Sequence, residues 1–210
     1  GGLGVCWVVV SDFACTDLGA GREFKFTIND SASSSPSENT SAGVFELTPD
    51  DVAVSMVRGD LLSVNRSQGN STQLVLRVFD ADENAFVPTG VNSSFWVTND
   101  NSSLNVFDNT TNSSGHVVLD FNPGCTYVPG AQFWFGGVSH DSCYVSTNTT
   151  ANYSLNVTGT LILNLSEPMG PEARRGEDNV TFRGNVTDDC TVPVGDAGVA
   201  HGEDAATPQR

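Results

Sequence analysis

At 210 residues the chain has room for one or two domains. Its 25 acidic residues against nine Lys and Arg give a net charge of −16, which argues against nucleic-acid binding, because that needs basic surface to release phosphate counterions. Twenty-one Gly, nine Pro and many Asn, Ser and Thr cut the apolar runs short, no helical period is sustained, and the chain reads as all-β. The longest apolar run, Val5 to Val10, is too short to span a bilayer. With no initiator Met and no basic-then-apolar leader, the sequence reads as a mature or excised segment.

Residues 1–49 read as the end of a domain followed by a linker. Trp7 to Val10, Cys15 and Phe24 to Ile28 can be laid on Trp134-Phe135, Cys143 and Tyr153 to Val157. Asp30 to Asn39 is Ser-rich, and Phe45 to Pro49 is a short strand or turn. A complete unit is expected over 50–168. Its strands are Val52–Leu62, Leu74–Phe79 and Val91–Thr98, with a loop at Asp80–Gly90. A turn at Asn109–Gly115 leads to an alternating run in which Val117, Leu119 and Phe121 share a face. Gln132–Phe135 and Asn152–Thr158 close the unit, with Tyr153, Leu155 and Val157 pointing inward.

Residues 169–210 then read as a beginning without an end. Val186-Thr-Asp188, Val192-Pro193 and Gly198-Val199 repeat Val78-Phe-Asp80, Val87-Pro88 and Gly90-Val91, with two anchors 108 positions apart (186 − 78 and 199 − 91). Fixed-period self-similarity implies tandem modules, one complete and two partial.

The acceptor pattern Asn-x-Ser/Thr occurs at Asn29, Asn39, Asn65, Asn70, Asn92, Asn101, Asn109, Asn112, Asn148, Asn152, Asn156, Asn164, Asn179 and Asn185, 14 of the 18 asparagines. Chance at this composition would supply roughly four. Strand parity sets Asn152, Asn156 and Asn164 opposite inward apolar neighbours, on backbone that a bulky sugar can reach. N-glycosylation implies export to an extracellular or cell-surface location, and export permits disulfides.

Five cysteines leave at least one without a partner inside the chain. Cys125 with Cys143 is the expected pair of the complete unit, and Cys6 with Cys15 the analogous local one. Cys190 would then remain for a bond between subunits. Asp80, Asp82 and Glu83 in one loop, and Asp188 and Asp189 in the equivalent one, are hard-oxygen groups suited to Ca²⁺. Phe79, Phe86 and Trp96 could form a sugar-binding or subunit-contact patch. No His, Cys or carboxylate constellation offers a nucleophile with its base or a zinc set, so the chain reads as no enzyme.

Leu74-Val-Leu-Arg-Val78, Val87-Pro-Thr-Gly-Val91 and Thr111-Asn-Ser-Ser-Gly-His-Val117 together resemble bacterial-type Ig-like repeats of the Big or invasin type. In that family a Thr-Asn/Asp-x-x-Gly turn precedes the next strand, matched here by Thr111, Asn112 and Gly115. The resemblance covers 50–168 and part of both flanks. It implies tandem immunoglobulin-like β-sandwiches, no shared catalytic site, and a place in adhesins, S-layers or fibres. The sequon density is similar to that of archaeal surface glycoproteins. The expected function is an extracellular structural glycoprotein of a filament, stalk or S-layer, self-associating head-to-tail by strand complementation. The alternative is an adhesin that binds a carbohydrate or protein.

Overall fold

The computed structural model describes residues 8–10, 13–28, 38–39, 43–67, 69–167 and 182–195, without the side chains of 27–28 and 38–39. Among these residues a 3-10 turn at Cys15–Asp17 precedes sixteen strands. These are β1 (Gly19–Phe24), β2 (Thr27–Ile28), β3 (Glu38–Asn39), β4 (Gly43–Leu47), β5 (Ala53–Arg58), β6 (Leu62–Asn65), β7 (Thr72–Asp80) and β8 (Ala85–Phe86). The rest are β9 (Asn92–Thr98), β10 (Leu104–Thr110), β11 (His116–Phe121), β12 (Gly130–Val138), β13 (Thr147–Asn148), β14 (Tyr153–Thr158), β15 (Leu161–Glu167) and β16 (Arg183–Asp188). Among the described residues no helix is long and apolar enough to cross a membrane.

Strands β5 to β14 form a two-sheet sandwich. One sheet runs β11-β7-β5, with β8 paired to β7. The other runs β10-β9-β12-β14-β6, with β13 paired to β12. Every pairing is antiparallel except that of β6 with β14. The first segment thus begins in one sheet and crosses to the other, where it lies parallel to the last strand. This is the order of an immunoglobulin-like sandwich.

The crossing corrects the single strand expected over Val52–Leu62. Gly59 has φ +128° and Leu61 φ 56°, so the extended backbone breaks between β5 and β6. Gly59 is required twice over. A Cβ there would lie 2.6 Å from Trp134 Cζ2 and 2.9 Å from Leu74 Cδ2. Its carbonyl also accepts the hydrogen bond that the fully buried Trp134 indole donates, at 2.9 Å.

The core follows the alternation read from the sequence. Leu74, Leu76 and Val78 of β7 face Phe95 and Val97 of β9, Trp134 of β12 and Leu155 of β14. Val117 and Phe121 of β11 are buried, and Leu119 is packed against the same cluster. Each such side chain contributes about 1.5–3 kcal/mol on burial. The Thr111–Gly115 turn is equally specified. Thr111 Oγ1 donates to Pro88 O at 2.6 Å and accepts from Val91 N at 3.0 Å, while Asn112 Oδ1 accepts from Ser114 N and His116 N.

Among the described residues the flanks form two-stranded pairings. On the N-terminal side β1 pairs with β4 and β2 with β3. Val8 to Val10 lie outside any strand and are 66, 79 and 61% exposed. The expected equivalence of 24–28 with the single strand β14 is not seen: β1 ends at Phe24 and β2 begins at Thr27. The parallel and antiparallel neighbours that hold β14 have no counterpart there among the described residues.

On the C-terminal side β15 pairs with β16, not with a sandwich strand, so the module break falls before β15 and not at 168. This hairpin repeats β5 and β7. Val78 pairs with Val54, and Val186 with Leu163, giving offsets of 108 (186 − 78) and 109 (163 − 54). Val87 N donates to Val78 O, and Val194 N to Val186 O. Asp80 caps Asp82 N as Asp188 caps Cys190 N.

Candidate functional site: the sequon-bearing face and the module junctions

Asn29, Asn179 and the Asn39 side chain lie outside the described residues. Of the other eleven sequon asparagines, ten are exposed and Asn65 is half-buried. Glycosylation needs the amide nitrogen. In Asn65, Asn70, Asn92 and Asn109 that nitrogen donates to Thr160 Oγ1, Ser67, His140 O and Val118 O respectively. In Asn101, Asn112, Asn148, Asn152, Asn156, Asn164 and Asn185 it bonds to no described residue, which makes these the open acceptors. None of the fourteen lies on β5, β7, β8 or β11.

The outer face of the sequon-bearing sheet carries two rows of side chains. In the first, Val106, Trp96 and Phe135 are directly opposed across β10, β9 and β12. The Trp96 and Phe135 rings stack at 5.1 Å with 11° between planes, both half-buried, and Val106 is 54% exposed. The second row, one step on, is Asp108, Ser94, Gly137 and Asn148. Ser94 Oγ donates to Asp108 Oδ1 at 2.7 Å and shares a hydrogen bond with Ser139 Oγ. A Cβ on Gly137 would run into Thr147 O and lie 2.6 Å from Asn148 Cα, so the β13 backbone fills the space that this glycine leaves.

The patch expected from Phe79, Phe86 and Trp96 does not assemble. Phe79 and Phe86 meet edge-to-face at 5.3 Å on the other sheet, with the Arg77 guanidinium 3.5 Å above Phe86. Trp96 belongs to the sequon-bearing sheet.

The two flanks clamp opposite poles of the sandwich. Cys15 is bonded to Cys143, and Cys125 to Cys190. The expected Cys125–Cys143 pair is excluded by geometry. The nine residues of β12 separate them, a rise of roughly 30 Å, whereas a disulfide needs Cα atoms about 4.4–6.8 Å apart. Cys15 therefore does not pair with Cys6, which lies outside the described residues, and Cys190 is joined within the chain.

Arg66 completes the C-terminal junction. It is 6% exposed. It donates to Tyr127 O at 3.0 Å, to Asp189 Oδ1 at 3.0 Å and to Asp188 Oδ2. These two aspartates, expected as metal ligands, are occupied by a guanidinium, and the adjacent Cys190 sulfur is in a disulfide. Asp188 is held below the usual carboxylate range, first by the Val192 N–H and then by Arg66.

Among the described residues the N-terminal junction shows no such cation. Asp50 bridges to the sandwich through Cys143 O and Val145 N at 2.9 and 2.7 Å. Asp80 is buried and accepts the N–H groups of Asp82 and Glu83, both at 3.0 Å. Asp50, Asp51 and Asp82 place carboxylate oxygens within 4.8 Å of one another, a donor set suited to Ca²⁺. Burial, then the charges of Asp80 and Asp82, push the Asp50 carboxyl above its ordinary value. A cleft of about 740 Å³ opens beside them, between the N-terminal flank and the end of the sandwich.

No protein-family model matches the chain, and none of the curated proteins matches it.

Proposed function

We propose that the chain is a modular, N-glycosylated extracellular structural protein, a segment or subunit of a filament, stalk or surface layer whose modules associate end to end. The hairpin β15–β16 carries this reading. Asn164 and Asn185 are directly opposed on one face of it. The other face presents Leu161, Leu163, Leu165 and Phe182, at 63, 52, 67 and 75% exposure. By the repeat offsets these correspond to Val52, Val54, Met56 and Leu74, all of which the complete sandwich packs against its second sheet. A hairpin with sugar acceptors outside and an uncovered apolar inside calls for a second sheet, supplied by a further module or by a neighbouring subunit.

The junctions favour the same reading. One disulfide at each pole ties the sandwich to what precedes and follows it, so a pull along the chain crosses covalent staples as well as strand pairing. Two bonds of this kind suit an oxidising compartment.

The test is glycopeptide mass spectrometry of the chain purified from a glycosylating host, with sedimentation and negative-stain microscopy of the same material. Sugars on the open acceptors together with filaments, sheets or end-to-end oligomers are expected. Bare asparagines throughout, or a monomer at every concentration, would overturn the reading.

A carbohydrate-binding adhesin is a second reading, favoured by the outward-facing Trp96–Phe135 stack. It predicts that free glycans shift the fluorescence of the chain.

A further inference from the structure

We infer that the Trp96–Phe135 stack is the seat of the protein's own glycan, the one attached at Asn148. This rests on the glycosylation reading above and names the surface that one of those sugars occupies.

The register supplies the geometry. Asn148 is opposite Gly137 on β12, and Gly137 is two positions from Phe135 on the same face of the same strand. Asn148 is therefore the diagonal cross-strand neighbour of Phe135, with about 7–8 Å between such positions, within reach of any long side chain. A pyranose on the Asn148 nitrogen extends a further ring width. It reaches the aromatic pair without any change in the backbone.

The surface beside Asn148 matches the chemistry of a sugar ring. The missing side chain at Gly137 lets the β13 backbone close over β12, with Thr147 O nearest and Asn148 Cα 2.6 Å from where a Cβ would be, and this brings Asn148 close beside the Phe135 row. On one side the stacked rings of Trp96 and Phe135 present their electron-rich faces, against which the axial C–H bonds of a sugar pack. On the other side the exposed Asp108, held by the hydrogen bond from the buried Ser94 hydroxyl, offers a carboxylate to sugar hydroxyls. Apolar C–H face and polar rim are the two chemistries of a pyranose, presented here side by side.

Two further observations select this asparagine. The Asn148 nitrogen is bonded to no described residue, whereas that of Asn92, the other sequon beside Ser94, donates to His140 O. An outward Trp-Phe stack flanked by Val106, at 54%, and Phe133, at 42% exposure, is costly to leave in water on a chain otherwise coated with acids. A sugar fixed one residue away covers it at high effective concentration.

The experiment compares the full chain with Asn148→Gln, Trp96→Ala, Phe135→Leu and the double variants, each made in a glycosylating and a non-glycosylating host. Melting temperature and ¹H NMR of the glycan are the readouts. In the glycosylated set, Asn148→Gln is expected to lower Tm by about 2–4 °C, the scale of one aromatic contact in a chain of this size. Adding Phe135→Leu or Trp96→Ala to it should cost clearly less than the same substitution alone. Sugar C–H resonances shifted upfield by ring currents should be present in the parent and absent from Phe135→Leu, which keeps an apolar side chain should Trp96→Ala fail to fold. In the unglycosylated set Asn148→Gln should be silent.

Strict additivity, unshifted sugar resonances, or an unglycosylated Asn148 beside glycosylated neighbours would overturn the inference while leaving the glycoprotein reading intact. Absence of sugar at every sequon would remove that reading as well. A free monosaccharide that binds Asn148→Gln as tightly as the parent would assign the stack to an external ligand and overturn the inference.

Discussion

Arg66 Nε donates to Asp189 Oδ1 at 3.0 Å, across a sequence distance that joins the residue after β6 to the loop after β16. The same guanidinium holds Asp188, so one buried arginine of the sandwich orders the first loop of the module that follows. Asp188 is held below the usual range by the Val192 N–H and by Arg66. A lowered folded value contributes stability above the unfolded value, about 3.9, and loses it as pH falls through the folded one. Acid is therefore expected to release the hairpin loop. Amide exchange across residues 186–194 should accelerate below the ordinary carboxylate range, and Asp188→Asn should flatten that limb. Asp50 runs the opposite way. Its raised value gives stability that is present below the unfolded pKa and is lost as pH rises through the folded one, so mild acid should tighten the N-terminal junction.

The disulfides give a second expectation. Non-reducing peptide maps should contain Cys15–Cys143 and Cys125–Cys190 linkages and no Cys125–Cys143 linkage. Replacing Cys125 and Cys190 together by Ser opens a loop of 65 positions, worth roughly 4 kcal/mol in the chain-entropy picture. The loss should appear as earlier unfolding of the hairpin. A map showing only local pairs would mean that the C-terminal junction is held by Arg66, and the N-terminal one by the Asp50 backbone bonds, without a covalent staple.

The strands were legible wherever alternation was clean. Tyr153, Leu155 and Val157 turn inward as the period-2 pattern requires, and so do Val117 and Phe121. The repeat was legible at Val78 and Val186 because both precede an Asp that caps its own loop. The disulfides were not, since nearness in sequence says nothing about which pole a loop occupies, and β12 puts Cys125 and Cys143 at opposite ends. The aromatic platform was half legible. In Phe95-Trp96-Val97 three apolar residues run together, which hides which one faces out until the register with β12 is known. The division between β5 and β6 lay in Gly59, whose positive φ leaves no trace in hydropathy.

Gly59 itself supplies a third expectation. Gly59→Ala must place a Cβ against Trp134 and Leu74 and also hold a φ of +128°. The substitution should destabilise the sandwich by about 1–3 kcal/mol, the usual cost of forced overpacking, and more if the Trp134 hydrogen bond to the Gly59 carbonyl is lost. Thermal unfolding followed by the near-ultraviolet signal of the buried indole checks it. An unchanged Tm would show that the β5–β6 crossing tolerates a side chain and that the Trp134 contact has been misjudged.

The hairpin decides the end-to-end reading. Leu163 lies on its inner face and Ile162 on its sequon-bearing outer one, adjacent in sequence and similarly exposed at 52 and 43%. If β15–β16 awaits a second sheet, covering Leu163 is worth about 1.5–3 kcal/mol, which is roughly ten- to a hundredfold in association. Leu163→Asp and Phe182→Asp should therefore weaken oligomerisation by at least that factor, while Ile162→Asp leaves it within a few-fold of the parent. The sandwich core lies elsewhere, so its Tm should hold in all three. Sedimentation velocity over a concentration series distinguishes the faces. Equal loss from Ile162→Asp would move the contact to the outer face, where Asn164 and Asn185 would then have to be free of sugar.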